Sequence, residues 1–120
     1  MKHVISLFIA SVALTSAHAQ EVKRDIPYTK NADKLQTLDV YSPSNAKNLP
    51  VVFWIHGGGW QTGDKADVQI KPRAFTDRGF VFVSTNYRLL PSVDMATIFR
   101  DIGKSLHWVH DHVAEYGSTP

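Results

Sequence analysis

The chain has 120 residues, a formal net charge of +2, 43% apolar and 20% charged residues, and no cysteine. That length supports one small domain, and the composition is that of an ordinary globular protein, neither disordered nor membrane-saturated. Scattered charges without a Lys/Arg-rich stretch or a basic–aromatic stripe argue against a nucleic-acid partner, and the lack of cysteine excludes a disulfide framework, a thiolate metal site, a cysteine nucleophile and a lipidated N-terminal cysteine.

The first element is a leader. Lys2 and His3 precede an apolar stretch from Val4 to Leu14, and small residues then end in Ala17-His18-Ala19. A charged start, a short apolar run and an A-x-A site make a secretory signal, with cleavage expected after Ala19. The run is too short for a membrane anchor, which takes about 20 residues. Cleavage would remove Lys2 alone among the charged residues and leave a net charge of +1. The expected organisation is a signal peptide over residues 1–19 and one domain over 20–120, in a periplasmic or secreted protein that keeps no membrane attachment.

Beyond the leader, Leu35 to Tyr41 alternates apolar and polar residues, as a half-buried strand does. Ser42 to Pro50 is a polar turn region bounded by prolines. Val51 to Ile55 is apolar at every position, the pattern of a strand covered on both faces. Pro72 suits the first turn of a short helix running through Arg78, with Gly79 just past its end. Phe80 to Ser84 is a second continuous strand run. From Ser92, an N-cap residue type, Met95, Ile98, Phe99, Ile102, Leu106, Val109 and Val113 recur at helical spacing until Gly117. This order predicts an α/β fold with a mostly parallel sheet and flanking helices. The sheet is incomplete, because the sequence stops where such a pattern would place another central strand.

Between the strand at 51–55 and the polar segment after it stands His56-Gly57-Gly58-Gly59-Trp60. Each glycine presents a backbone N–H with no Cβ in the way. At the carboxyl end of a buried strand in an open α/β sheet, such donors face the crevice where ligands bind. Donors fixed there stabilise an oxygen that gains negative charge, as in the tetrahedral intermediate of acyl transfer. The alternatives are a turn without function or a phosphate cradle. A phosphate loop needs G-x-x-x-x-G-K-[ST] leading into a helix, and the dinucleotide fingerprint G-x-G-x-x-G would place its last glycine at Thr62; neither fits.

The stretches "LDVYSP", "LPVVFWIHGGGWQTGDK", "FTDRGFVFVSTNYRLLP" and "DIGKSLHWVHDHVAEYG" together resemble the N-terminal part of α/β-hydrolase esterases. The likeness is to hormone-sensitive-lipase-like carboxylesterases, and among them to feruloyl or acetyl esterases and formamidase-like relatives. It extends from about Leu35 to Gly117. The resemblance implies that the N–H groups of Gly58 and Gly59 form an oxyanion hole, that His56 and Gly57 hold the loop's shape, and that Trp60 lines the acyl pocket. It implies a small-molecule or polysaccharide-linked ester as substrate and no cofactor.

The sequence also departs from that family. A serine hydrolase of this kind uses G-x-S-x-G, then an acidic residue, then a histidine, in that order. None of Ser42, Ser44, Ser84, Ser92, Ser105 and Ser118 is flanked by glycines at both required positions, so the nucleophile and the rest of the triad are expected beyond Pro120. The competing expectation is a complete small binding protein that keeps a hydrolase N-terminus without its chemistry. Two further clusters read as structural. His107, His110, Asp111 and His112 lack the H-E-x-x-H of a zinc helix and fit a solvated helix face. Arg88 and Asp101 are placed to form an ion pair that fixes the loop after Ser84.

Overall fold

The computed structural model of the chain describes residues 19–117. The expected leader lies outside the described residues except for Ala19. The described residues form strands β1 (Gln20–Pro27), β2 (Thr37–Pro43), β3 (Val51–Ile55) and β4 (Val81–Thr85), with helices α1 (Lys71–Thr76) and α2 (Met95–His112) and a final 3-10 turn at Val113–Tyr116. The four strands make one sheet in the order β1-β2-β4-β3.

β3 and β4 are parallel, with Val51 opposite Val81 and Ile55 opposite Thr85. The β1–β2 and β2–β4 pairs are antiparallel. The expected parallel character is therefore confined, among the described strands, to the β3–β4 pair. The reason is the chain path: β1 turns back to β2 through residues 28–36 without a crossover, whereas β3 reaches β4 only by way of α1, the crossover that parallel neighbours require. β1 carries little sequence signal, since Val22 and Ile26 are its apolar residues apart from the closing Pro27. It is an edge strand whose register shifts between Lys23 and Ile26, with Asp25 in the left-handed region at φ 57°.

The helices cover opposite faces of the sheet. On one face Leu38, Val40, Val81 and Val83 pack with Tyr28, Val109 and Val113 under α2. On the other, Tyr41 and Phe82 pack with Val68, Trp54 and Phe75 beside α1, where Phe75 stacks on Phe82 at 5.6 Å. β4 is covered on both faces and is buried along its whole length, as its unbroken apolar run predicts. β3 has the same kind of run but is only half-buried, and Ile55 is 37% exposed. The difference is position: β3 ends the sheet and pairs with β4 alone among the described strands.

α2 starts later than expected. Asp94, not Ser92, is its N-cap: the Asp94 carboxylate accepts the Thr97 N–H at 2.8 Å, and its carbonyl accepts the first helical bond from Ile98. Ser92 belongs to the preceding turn, in which Val93 N–H donates to Leu89 O. The helix also splits its apolar residues. Ile98, Asp101, Ser105 and Val109 form the buried rib, whereas Phe99 and Leu106 are 60% and 51% exposed. Residues three and four apart share a face of a helix, so a stripe wider than the contact leaves one margin open.

Asp101 lies at the centre of that rib and is fully buried. Arg88 grips it with Nε at 2.9 Å, Nη2 at 2.8 Å and its backbone N–H at 3.1 Å, and Gln36 Nε2 donates at 3.0 Å. The expected Arg88–Asp101 pair is thus present, and it fixes the chain leaving β4 to the long helix. Burial alone would raise the Asp101 carboxyl, but the hydrogen bonds from Arg88 and Gln36 outweigh it and hold the group below the ordinary 3.8. Asp101→Asn keeps the shape and removes the charge, and is expected to lower stability at neutral pH by about 3 kcal/mol in urea unfolding of the full-length protein. A carboxyl lowered by folding contributes stability above its unfolded value of 3.8 and loses it as pH falls through the lower folded value. Wild type and variant should therefore converge in acid, and an undiminished gap there would assign the loss to packing.

Candidate functional site

Because β3 and β4 run in parallel and in register, their carboxyl ends lie side by side, with Ile55 opposite Thr85. The chain leaves β3 into His56 and the glycines, and leaves β4 into Asn86, Tyr87 and Arg88. The two exits pack on one another. The His56 ring stacks on Tyr87 with centroids 4.5 Å apart and planes 13° from parallel. Tyr87 Oη donates to His56 O at 2.8 Å, and burial raises the pKa of this hydroxyl, keeping it a donor. His56 is 4% exposed, and its Nδ1 lies 2.8 Å from Gly57 O. A carbonyl only accepts, so the ring proton sits on Nδ1. His56 is thus buried between the strand end and the glycine loop, in contact with Tyr87 and with Gly57 O.

The loop then doubles back. Gly58 O accepts from Gln61 N at 3.2 Å, Thr62 N at 3.1 Å and Thr62 Oγ1 at 3.2 Å. Gly58 has φ 126°, and a Cβ there would run into the Thr62 carbonyl. Gly63, which the sequence reading passed over, has φ 107° and lies against Gly57 O and the His56 ring, leaving no room for a Cβ. Gly59 and Trp60 continue at φ 62° and 65°. Gly57, Gly58 and Gly59 are all exposed. Among the described residues, no backbone acceptor takes the N–H of Gly58 or Gly59. The site therefore combines a tightly held turn with two exposed glycines whose N–H groups have no backbone acceptor, at the sheet's carboxyl end.

Trp60 stands beside those donors. Its carbonyl accepts Leu90 N at 2.8 Å, its ring meets Tyr87 at 5.6 Å, and Phe99 packs edge-on at 6.0 Å. Phe99, one of the apolar residues at helical spacing, extends an aromatic wall from the loop onto the first turns of α2. Beyond the turn, Asp64 and Lys65 are tied to the exit of β4. Asn86 Nδ2 donates to Asp64 at 3.1 Å and Asn86 Oδ1 accepts Lys65 N at 2.8 Å. Burial would raise the Asp64 carboxyl, but the Ala66 N–H and Asn86 hold it below its ordinary range. These contacts had no signature in the sequence, because they join residues 21 and 22 positions apart.

The histidine-rich stretch of α2 is elsewhere. His107 and His110 reach Asp111 at 2.9 and 3.2 Å, and His112 reaches Glu115 at 3.5 Å, all on an exposed or half-exposed face. Among the described residues, no group of three or more His, Cys, Asp or Glu is arranged to hold a metal ion.

The loop geometry separates the glycines. Gly58→Ala and Gly63→Ala each force a Cβ into backbone or ring at positive φ and should destabilise by about 1–3 kcal/mol. Gly57→Ala meets nothing within 4 Å and should stay within about 0.5 kcal/mol. Urea unfolding of the three variants decides it, and equal losses at all three would contradict this turn geometry.

The family model BD-FAE matches residues 38–120 of this chain. Venom carboxylesterase-6 of Apis mellifera is 33% identical over 105 residues, covering 76% of this chain and 18% of that protein. Carboxylesterase NlhH of Mycobacterium tuberculosis is 38% identical over 84 residues, covering 68% of this chain and 26% of its own length. The solved structure of esterase B from Lactobacillus rhamnosis superposes with a TM-score of 0.74 at 31% identity, over 83% of this chain and 32% of that one. The chain thus spans about a fifth to a quarter of these curated relatives and about a third of the solved esterase. The matched stretch contains β3, the glycine loop, β4 and α2, the elements that build the site. With that coverage the chain belongs to the BD-FAE family, and its sheet and helices are the N-terminal portion of an α/β-hydrolase fold.

Proposed function

We propose that the chain supplies the oxyanion-binding part of an exported serine hydrolase acting on carboxylic esters. The observation that carries this reading is the pair of N–H groups on Gly58 and Gly59 that no backbone acceptor takes among the described residues, in the exposed loop at the joint carboxyl end of two parallel strands. When a serine attacks an ester carbonyl, the carbonyl oxygen becomes an oxyanion, and fixed donors stabilise it more than they stabilise the ground state. The tight turn over Gly58 O and the His56–Tyr87 stack hold those donors before substrate arrives, which is what gives a preorganised site its advantage over water. Trp60, with Phe99 beside it, offers an apolar wall for the acyl portion. The substrate is a small-molecule or polysaccharide-linked ester, and no cofactor takes part.

The nucleophile, the acid and the catalytic base come from outside these 120 residues, which contain no G-x-S-x-G. The residue after that serine would add a further oxyanion donor. Residues 1–19 direct export and are removed after Ala19.

Two measurements test the reading. The isolated 120-residue chain should hydrolyse p-nitrophenyl acetate no faster than a protein blank, and turnover abolished by a serine-directed organophosphonate would contradict the missing nucleophile. In the full-length polypeptide as its gene encodes it, Gly58→Ala, whose Cβ would meet the Thr62 carbonyl and so displace the turn that carries both N–H groups, should lower kcat by about 10² to 10³ with a smaller change in KM, on the scale of losing one oxyanion donor. An unchanged kcat would reduce these glycines to turn formation.

A further inference from the structure

Lys65 is the first residue past the tip of the loop whose side chain is buried, at 8% exposure. Its ammonium leaves the loop altogether. It crosses β4, where Ser84 Oγ donates to Lys65 O at 2.7 Å, and ends between Asp39 of β2 at 2.8 Å and Asp25 of β1 at 2.7 Å. Asp39 lies opposite Ser84 in the β2–β4 register and is fully buried. Asp25 is brought to the same point by the irregularity in β1, where its own N–H donates to Asp39 Oδ1 at 2.9 Å. A bulge re-aims a side chain, and a left-handed non-glycine residue persists only where its surroundings hold it. β1 therefore departs from regular pairing at the place where Lys65 needs a second carboxylate.

We propose that Lys65 is a positioning residue for the glycine loop, fastening its far end across the sheet to Asp39 and Asp25 so that Gly58 and Gly59 keep their direction. The near end is fixed by the His56–Tyr87 stack. The other long-range contacts of the segment from Gly58 onward, Leu90 N–H on Trp60 O, the Trp60 ring on Tyr87 and Phe99, the Asn86 bonds and Ser84 Oγ on Lys65 O, reach only β4, the loop after it and α2; the Lys65 ammonium carries the tie to β2 and β1. The hydroxyl, amide and carboxylate partners all sit on strands or at their ends, so the loop is tied to the rigid part of the fold. Small displacements at a reacting centre are expensive, with a shift of about 1 Å capable of lowering a rate about a hundredfold. The consequence for catalysis rests on the esterase reading above; the fastening of the loop does not.

The experiment uses the full-length polypeptide as its gene encodes it, in two variants. Lys65→Met removes the ammonium but leaves Asp39 buried without it, so the fold itself can suffer. Lys65→Met/Asp39→Asn removes both charges and keeps the sheet free of an unpaired carboxylate. In the double variant, hydrogen–deuterium exchange of amides in residues 57–65 should rise about tenfold or more while β2 and β4 amides keep their protection. On an ester substrate its kcat should fall about tenfold or more with KM nearly unchanged, as expected when transition-state contacts alone are disturbed. Unchanged loop exchange, or a loss of protection spread evenly over the sheet, would overturn the proposal. Wild-type polypeptide that hydrolyses no ester would refute the esterase reading, while the exchange measurement would still decide whether Lys65 holds the loop.

Discussion

The parallel pairing of β3 with β4 is the constraint on which the site depends. It brings Ile55 opposite Thr85, so the two strands release their chains at one edge of the sheet. His56 and Tyr87 are then the first side chains able to meet, and they stack. From that contact the glycine turn, Trp60 and the Arg88–Asp101 pair take their places. An antiparallel pair would put the two exits at opposite ends, and the site would have no second wall.

Much of this was legible in the residues. The glycine loop announces itself because three glycines after a buried strand make no sense as packing, and Arg88 and Asp101 stand out as opposite charges flanking a helix start. β4 was legible because burial on both faces demands an unbroken apolar run. β3 has as complete a run and packs on both faces, Val51 and Phe53 against one core and Val52 and Trp54 against the other, but stays half-buried because one of its edges has no partner among the described strands. Periodicity records which faces are apolar, not which neighbours are at hand to cover them. The α2 stripe shows the same effect, with Phe99 at the site and Leu106 in solvent.

What could not be read was the polar scaffolding. Half of the β1 residues are charged and the strand gives no pattern, yet its Asp25 completes the Lys65 contact 40 residues away. Local spacing cannot reveal a partner at that distance, and Gly63 was equally silent because its constraint is the His56 ring pressing from outside the turn. Among the described strands the outer edge of β3 has no partner, and in the isolated 120-residue chain that edge is a physical hazard. "VVFWI" has high β-propensity, no charge and no proline, and a free edge of that kind pairs readily with other chains.

The central claim is that the Gly58 and Gly59 N–H groups hold the oxygen that becomes negative. A crystal structure of the full-length polypeptide carrying a phosphonate transition-state analogue tests it most directly. The account predicts the phosphonyl oxygen within about 2.7–3.1 Å of both nitrogens, with the His56–Tyr87 stack intact. A phosphonyl oxygen held by other donors, with both glycine N–H groups turned away, would contradict it.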